Sequence, residues 1–191
     1  MNDYLIDNLD DNIIKKKIKS GQKGKRGERY IVDILNKRFS KFISENNVGE
    51  FSRSIGSGNR WGQNVKLSPT ASQVYSGDLT CPDNFKFVIE SKSGYNDIDL
   101  MAMFSNKCPG LDEFLKQTED EAGRTGRKPL LVWKKDRKPA VAFVKDVDVP
   151  GILVNPSIIY HDWVGLSLEM LLSKTCDEFW FSTIQSEPNA G

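Results

Sequence analysis

Apolar residues recur along residues 27–43 (GERYIVDILNKRFSKFI) with the period of a helix. Ile31, Val32, Leu35, Phe39 and Phe42 stand three or four positions apart and share one face. After Asn46 the pattern shortens to strands. EFSRSI, SGDLTC and FKFVIESK are three candidates, and the last sends Phe85, Phe87 and Ile89 to one side and Glu90 and Lys92 to the other. Pro82-Asp83-Asn84 is turn chemistry and predicts a hairpin in which SGDLTC pairs with FKFVIESK. Helical spacing returns over residues 111–122 (LDEFLKQTEDEA), with Leu111, Phe114, Leu115, Thr118 and Ala122 on one side. PLLVWKK and PAVAFV read as apolar strands joined at Asp136-Arg137-Lys138, and GLSLEMLLSK as a short helix before a polar tail. The glycine-rich stretches SGQKGKRG and GSGNRWGQN read as a flexible basic linker and a mobile loop. A strand–helix–strand crossover is normally parallel and a hairpin antiparallel, so the order predicts an α/β fold with a mixed sheet and helices packed on it.

Composition narrows the class. At 191 residues and 21.6 kDa the chain can build one domain with a real core, not two full enzyme domains. Hydrophobic residues are 38%, charged residues 28% and mean hydropathy is −0.47, which describes a soluble globular protein. No apolar run approaches the roughly 20 residues of a membrane span. The opening MNDYLIDNLDDN is acidic where a signal peptide is basic and then apolar. Cys81, Cys108 and Cys176 form no CxxC pair, and His161 is the one histidine, so a reduced cytoplasmic setting is expected and a zinc site is not.

Net charge is +1, unevenly spread. Residues 139–191 hold Lys145 and Lys174 against seven acids, whereas residues 15–29 hold eight basic residues and Glu28 as the one acid. Such a division fits a face that meets a polyanion, and equally a solvated lysine-rich helix start.

The chemistry centres on Gly77-Asp78 and Glu90-Ser91-Lys92. Glu90 and Lys92 share a strand face, and the predicted hairpin brings Asp78 near Glu90. Two anions about 4 Å apart repel by about 4 kcal/mol at an effective dielectric near 20, so such a pair needs a proton, a cation or a metal ion. Carboxylates with open positions suit Mg²⁺ or Mn²⁺, and a nearby lysine suits a phosphate transition state. Asp136-Arg137-Lys138 has the same acid-x-Lys form, but no strand leads into its acid. At 100° per residue Glu28 lies amid the apolar stripe of the first helix, where an unpaired charge is expensive. It is either a first-turn acid satisfied by the helix N-terminus or a group delivered to the same site.

Glu28, Asp78, Glu90-x-Lys92 and the downstream helical Gln117 together resemble the PD-(D/E)xK nuclease superfamily. GERYIVDILNKRF, FSRSIGSG, SGDL and FKFVIESKSG look most like archaeal-type, phage-related Holliday junction resolvases. The resemblance implies a restriction-endonuclease-like core over residues 22–145, preceded by a lead-in (1–21) and followed by a C-terminal extension (146–191). It implies Asp78 and Glu90 as ligands of Mg²⁺ or Mn²⁺, Lys92 as the catalytic lysine, Glu28 as an accessory ligand or water-positioning group, and Gln117 as the polar partner on the following helix. Arg53 and Ser57 would match the substrate-contacting strand and loop. Arg60 and Trp61 could clamp phosphate and stack on a base, and Lys23, Lys25 and Arg26 could meet DNA backbone.

The activity implied is cleavage of branched DNA by a homodimer. A restriction-like or repair nuclease on duplex or single strands, and a non-catalytic nucleic-acid-binding module, are the alternatives. Gly77 stands where the motif has proline, and the Arg53–Asp78 span is longer than compact resolvases need.

Overall fold

A computed structural model describes residues 20–54, 77–149 and 158–183. Helix α1 (Ser20–Asn46) is followed by the short strands β1 (Ser52–Arg53) and β2 (Leu79–Thr80), then β3 (Phe87–Ser93). A 3-10 turn (Leu100–Ser105) and helix α2 (Pro109–Thr125) lead to strands β4 (Lys128–Lys134) and β5 (Ala140–Lys145). The chain ends in the hairpin β6 (Ile158–Tyr160) and β7 (Trp163–Ser167), then helices α3 (Leu168–Lys174) and α4 (Asp177–Trp180). Five strands form one sheet in the order β3-β4-β5-β7-β6, with β3 and β4 parallel and the other neighbours antiparallel. This is the mixed sheet flanked by helices that the pattern predicts, with α2 making the parallel crossover.

Strand alternation explains the two cores. Leu130 and Val132 of β4 face α1, joining Ile31, Leu35, Phe39, Phe87 and Ile89. Their neighbours Leu131 and Trp133 face α2, joining Leu111, Phe114, Leu115 and Phe143. Burying a side chain of this size stabilises by roughly 1.5–3 kcal/mol, so helices are held to both faces.

Three expectations need correction. Residues 20–27 are not a linker but the first turns of α1. Each glycine there costs a helix about 1 kcal/mol relative to alanine, and of the three Gly27 is the one that close packing requires. A Cβ on Gly27 would stand 1.6 Å from Ser93 Oγ. Secondly, β2 pairs with β1, not β3 (Ser52↔Thr80, Arg53↔Leu79), while β3 pairs with β4 along its inner edge over its whole length. The turn itself forms, with Phe85 N–H donating to Pro82 O at 3.0 Å. Thirdly, Gly165–Ser167 belong to β7 rather than to a helix. Gly165 is needed there, since a Cβ would meet the Phe143 ring at 2.6 Å.

Residues after 145 also build the main body. β7 pairs with β5 along Val141–Lys145, and Trp180 and Phe181 are buried against Phe39, Phe85 and Phe87. His161 is exposed at the β6–β7 turn with φ 54. Cys81 and Cys108 are buried and Cys176 exposed, all three free. Burial pushes the Cys81 thiol up to about 12, so it is no nucleophile. Among the described residues no helix is long and apolar enough to cross a membrane.

Candidate active site

β3 ends the five-stranded sheet, and its outer edge would expose backbone donors and acceptors. Asp78 fills two of those positions. Its N–H donates to Ile89 O at 3.0 Å, and its carboxylate Oδ2 accepts the Ser91 N–H at 2.9 Å. Ser54 N–H donates to Asp78 O at 3.1 Å, which ties β1 to the same point. Asp78 therefore comes beside Glu90, as the sequence predicts, through edge bonds rather than a β2–β3 hairpin.

The glycine before it explains the missing proline. Gly77 has φ +74, and a Cβ there would lie 2.6 Å from Ile89 O and 2.9 Å from Val88 Cγ2. Proline is locked near φ −65° and cannot take this conformation. Gly77→Ala is expected to cost about 2 kcal/mol or more, from the left-handed backbone and the clash with a carbonyl. Gly77→Pro should be worse although it restores the motif. Urea unfolding checks both, and a Gly77→Pro protein of wild-type stability would refute the account.

Period-two geometry puts Glu90 and Lys92 on the face covered by α2, where Gln117 meets them. Glu90 Oε1 accepts from Lys92 Nζ at 2.6 Å and from Gln117 Nε2 at 2.7 Å, and Lys92 Nζ also donates to Gln117 Oε1 at 2.7 Å. Two of the three ammonium donors are thus taken. The Phe114 ring lies under the ammonium, 5.3 Å from Nζ to its centroid. Glu90 is 4% exposed, so it is a buried acid held by a half-buried ammonium and an amide.

Glu28 is also buried, and Arg53 Nε donates to its Oε2 at 2.7 Å. The helix begins at Ser20, so Glu28 stands in its third turn and is no first-turn acid. Arg53 is accordingly engaged by a carboxylate, with a quarter of its side chain exposed. Lys23 pairs with Asp136 at 3.0 Å, while Lys25 and Arg26 are exposed. Ser57, Arg60 and Trp61 lie outside the described residues.

Negative charge dominates the buried cluster. Burial first, and then the Glu90 charge, push the Asp78 carboxyl up to about 7, against the Ser91 hydrogen bond and Lys92. Burial likewise raises Glu90, opposed by Lys92 and reinforced by Glu121 and Glu28. Among the described residues no group of three or more acid, histidine or cysteine side chains could hold a metal ion. Asp78 and Glu90 are the candidate donors that the resemblance implies. Mg²⁺ habitually binds to one or two carboxylates and takes its remaining ligands from water and substrate phosphate. A buried and a half-buried carboxylate that resist being charged together fit such an ion.

Glu121 escaped the sequence reading. It lies on the buried face of α2 with Leu111, Phe114, Leu115, Thr118 and Ala122, is 4% exposed, and accepts from Arg124 Nη1 at 2.9 Å through Oε1. The signal was present: an acid on an apolar helical stripe, four residues beyond Gln117, is the pattern that singles out Glu28.

A family model described as "Phage putative PDDEXK endonuclease" matches residues 19–164, from the start of α1 into β7. No curated protein and no solved structure matches the chain.

Proposed function

Because the chain belongs to the phage PDDEXK endonuclease family, we propose that it is a divalent-metal-dependent endonuclease that hydrolyses DNA phosphodiester bonds, with branched DNA as its substrate. The observation that carries this is Lys92, held by Glu90 and Gln117 beside the half-buried Asp78. Asp78 and Glu90 would hold Mg²⁺ or Mn²⁺. When bound, such an ion polarises the phosphoryl oxygen and lowers the pKa of the attacking water.

The chain's own groups do the rest. Lys92 offers its remaining N–H to the developing charge on phosphate. Gln117 and Glu90 fix the lysine so that its position is settled before substrate arrives. Glu28, pinned by Arg53, serves as the accessory or water-positioning acid. Arg53 at the rim, with Ser57, Arg60, Trp61, Lys25 and Arg26, contacts the DNA; phosphate contacts position the duplex without reading sequence. In-line attack would leave a 5′-phosphate.

Branched DNA follows from the likeness to junction resolvases, and a four-way junction needs two cuts related by a two-fold axis. A homodimer acting in the cytoplasm, the host's if the gene is a phage's, is the matching assembly.

The test compares end-labelled four-way junction, duplex, flap and single-stranded DNA with Mg²⁺, Mn²⁺ or EDTA, for wild type and Lys92→Met. Paired symmetric nicks in the junction, lost with EDTA and in the variant, are expected. Metal-dependent cutting of another substrate instead would overturn the junction assignment and keep the site. Salt-sensitive DNA binding without cleavage by folded protein would replace the enzyme with a binding module.

A further inference from the structure

We propose that the β4–β5 turn, through Arg137 and Lys138, grips the phosphate backbone of a duplex DNA arm beside the active centre. This extends the nuclease reading and rests on it for the identity of the polyanion.

The fold brings the turn to the right place. Strands β3 and β4 run parallel, so both finish at the same end of the sheet. Lys92 stands opposite Trp133, and Arg137 follows four residues later. Even a fully extended chain keeps Arg137 within about 20 Å of the Lys92 backbone. One turn of duplex DNA is roughly 34 Å long, so DNA lying at the site presents phosphates within reach of the turn.

The turn is also clipped to its neighbours. Asp136 N–H donates to Asn96 Oδ1 at 2.9 Å, and Asp136 Oδ2 accepts from Asn96 Nδ2 at 2.8 Å and Lys23 Nζ at 3.0 Å. The one acid of the turn is therefore occupied in holding α1 and the loop after β3. Lys134 and Lys135 donate to the backbone carbonyls of Lys138 and Ile98. Arg137 and Lys138 are exposed, and their side chains have no ion pair among the described residues. Asp99, on the adjoining loop, does not reach them; its carboxylate accepts the Met101 N–H at 2.9 Å. Arg26 is exposed too and stands about 60° round α1 from Lys23, which widens the same basic face.

Arg137 moreover holds a backbone conformation that suits another residue. Its φ is 60, in the left-handed region, inside a turn closed by Lys138 N–H donating to Lys135 O at 3.2 Å. Glycine or asparagine takes such a position more easily. A turn that only reverses the chain predicts one of those two. An exposed arginine kept there against its backbone preference points to a ligand for its guanidinium.

The experiment follows binding of a fluorescently labelled DNA duplex by anisotropy in EDTA, between about 50 and 200 mM salt. Arg137→Gly removes the guanidinium and relieves the backbone, so it should melt no lower than wild type. Its Kd should nonetheless rise roughly 3- to 10-fold, and the slope of log Kd against log salt should flatten by about 1. Adding Lys138→Gln should flatten the slope by about 2, whereas Arg137→Lys keeps the charge and should bind nearly as wild type. The control is Lys37→Gln with Lys41→Gln, which removes two exposed charges from α1, Lys41 being about 27 Å along the helix from Lys23. It should leave the slope unchanged.

An unaltered slope in the Arg137→Gly, Lys138→Gln protein, or an equal change in the control, would overturn the proposal. So would a clear loss of melting temperature in Arg137→Gly, which would make the arginine a structural part of the turn. Should wild type cut nothing with Mg²⁺ or Mn²⁺ while the binding results hold, the nuclease reading fails and the DNA-gripping turn stands.

Discussion

Asp78→Asn is expected to stabilise the metal-free protein at pH 8 by about 4 kcal/mol while lowering cleavage by roughly 100-fold or more. The cause is the cost of keeping Asp78 charged in the fold. Burial, then Glu90, raise its carboxyl from an ordinary 3.8 to about 7. Between those values the folded state holds a proton that the unfolded chain has released. Raising the pH through this window therefore favours unfolding, and the whole cost is present above pH 7. Each unit of difference is worth about 1.4 kcal/mol. Asparagine removes the titration but keeps an oxygen for the Ser91 N–H that Asp78 accepts at 2.9 Å. Urea unfolding in EDTA should show wild type and variant alike near pH 4 and apart at pH 8. Equal stabilities at pH 8, or a variant less stable than wild type, would refute the account. Glu90 and Glu121 are raised as well and keep part of the slope in both proteins, so the difference between the two isolates Asp78.

The second large effect has the opposite sign. Lys92→Met should abolish cleavage and destabilise the protein by about 2–4 kcal/mol at pH 8, because it leaves Glu90 buried without its cation. Lys92 is only 13% exposed in its side chain and Glu90 5%, so water cannot take over the pairing. The loss is smaller at pH 5. Without Lys92 the Glu90 carboxyl rises further, and an acid raised by folding weakens the fold only as pH climbs above its unfolded value. Adding Glu90→Gln to Lys92→Met should restore most of the stability at pH 8 and none of the cleavage. Paired unfolding curves at the two pH values decide this. A loss independent of pH, or one that the second substitution leaves untouched, would mean that Lys92 stabilises through its methylenes on Phe114 rather than through its charge.

Much of the candidate site is legible because it depends on short-range periodicity. The period of a strand places Glu90 and Lys92 on one side and Phe87 and Ile89 on the other, and the structure keeps that division. The period of a helix puts Glu28 within an apolar stripe and Gln117 on α2, both of which meet charged partners. Asp78 came near Glu90 for a partly different reason than predicted. Turn chemistry at Pro82–Asn84 announces a reversal, but it does not say whether two short strands then pair. β1 competed for β2, and Asp78 alone reached the edge of β3.

Long-range neighbours were a different matter. Residues 20–27 look like a linker by composition, yet are helix, and at Gly27 that helix rests closely on Ser93. The β6–β7 hairpin is invisible as such, since β7 is defined by pairing with β5 and its three final residues carry a helix-like pattern. Trp180 and Phe181 lie in a segment that reads as tail, and are buried only because Phe39 and Phe85 arrive from elsewhere in the chain. Backbone geometry repeats every 3.6 or 2 residues, so it assigns side chains to faces from local order alone. Which faces meet depends on packing among elements far apart in sequence. Only that packing could bury Glu121 of α2, and only the fold could show why a glycine, not a proline, precedes Asp78.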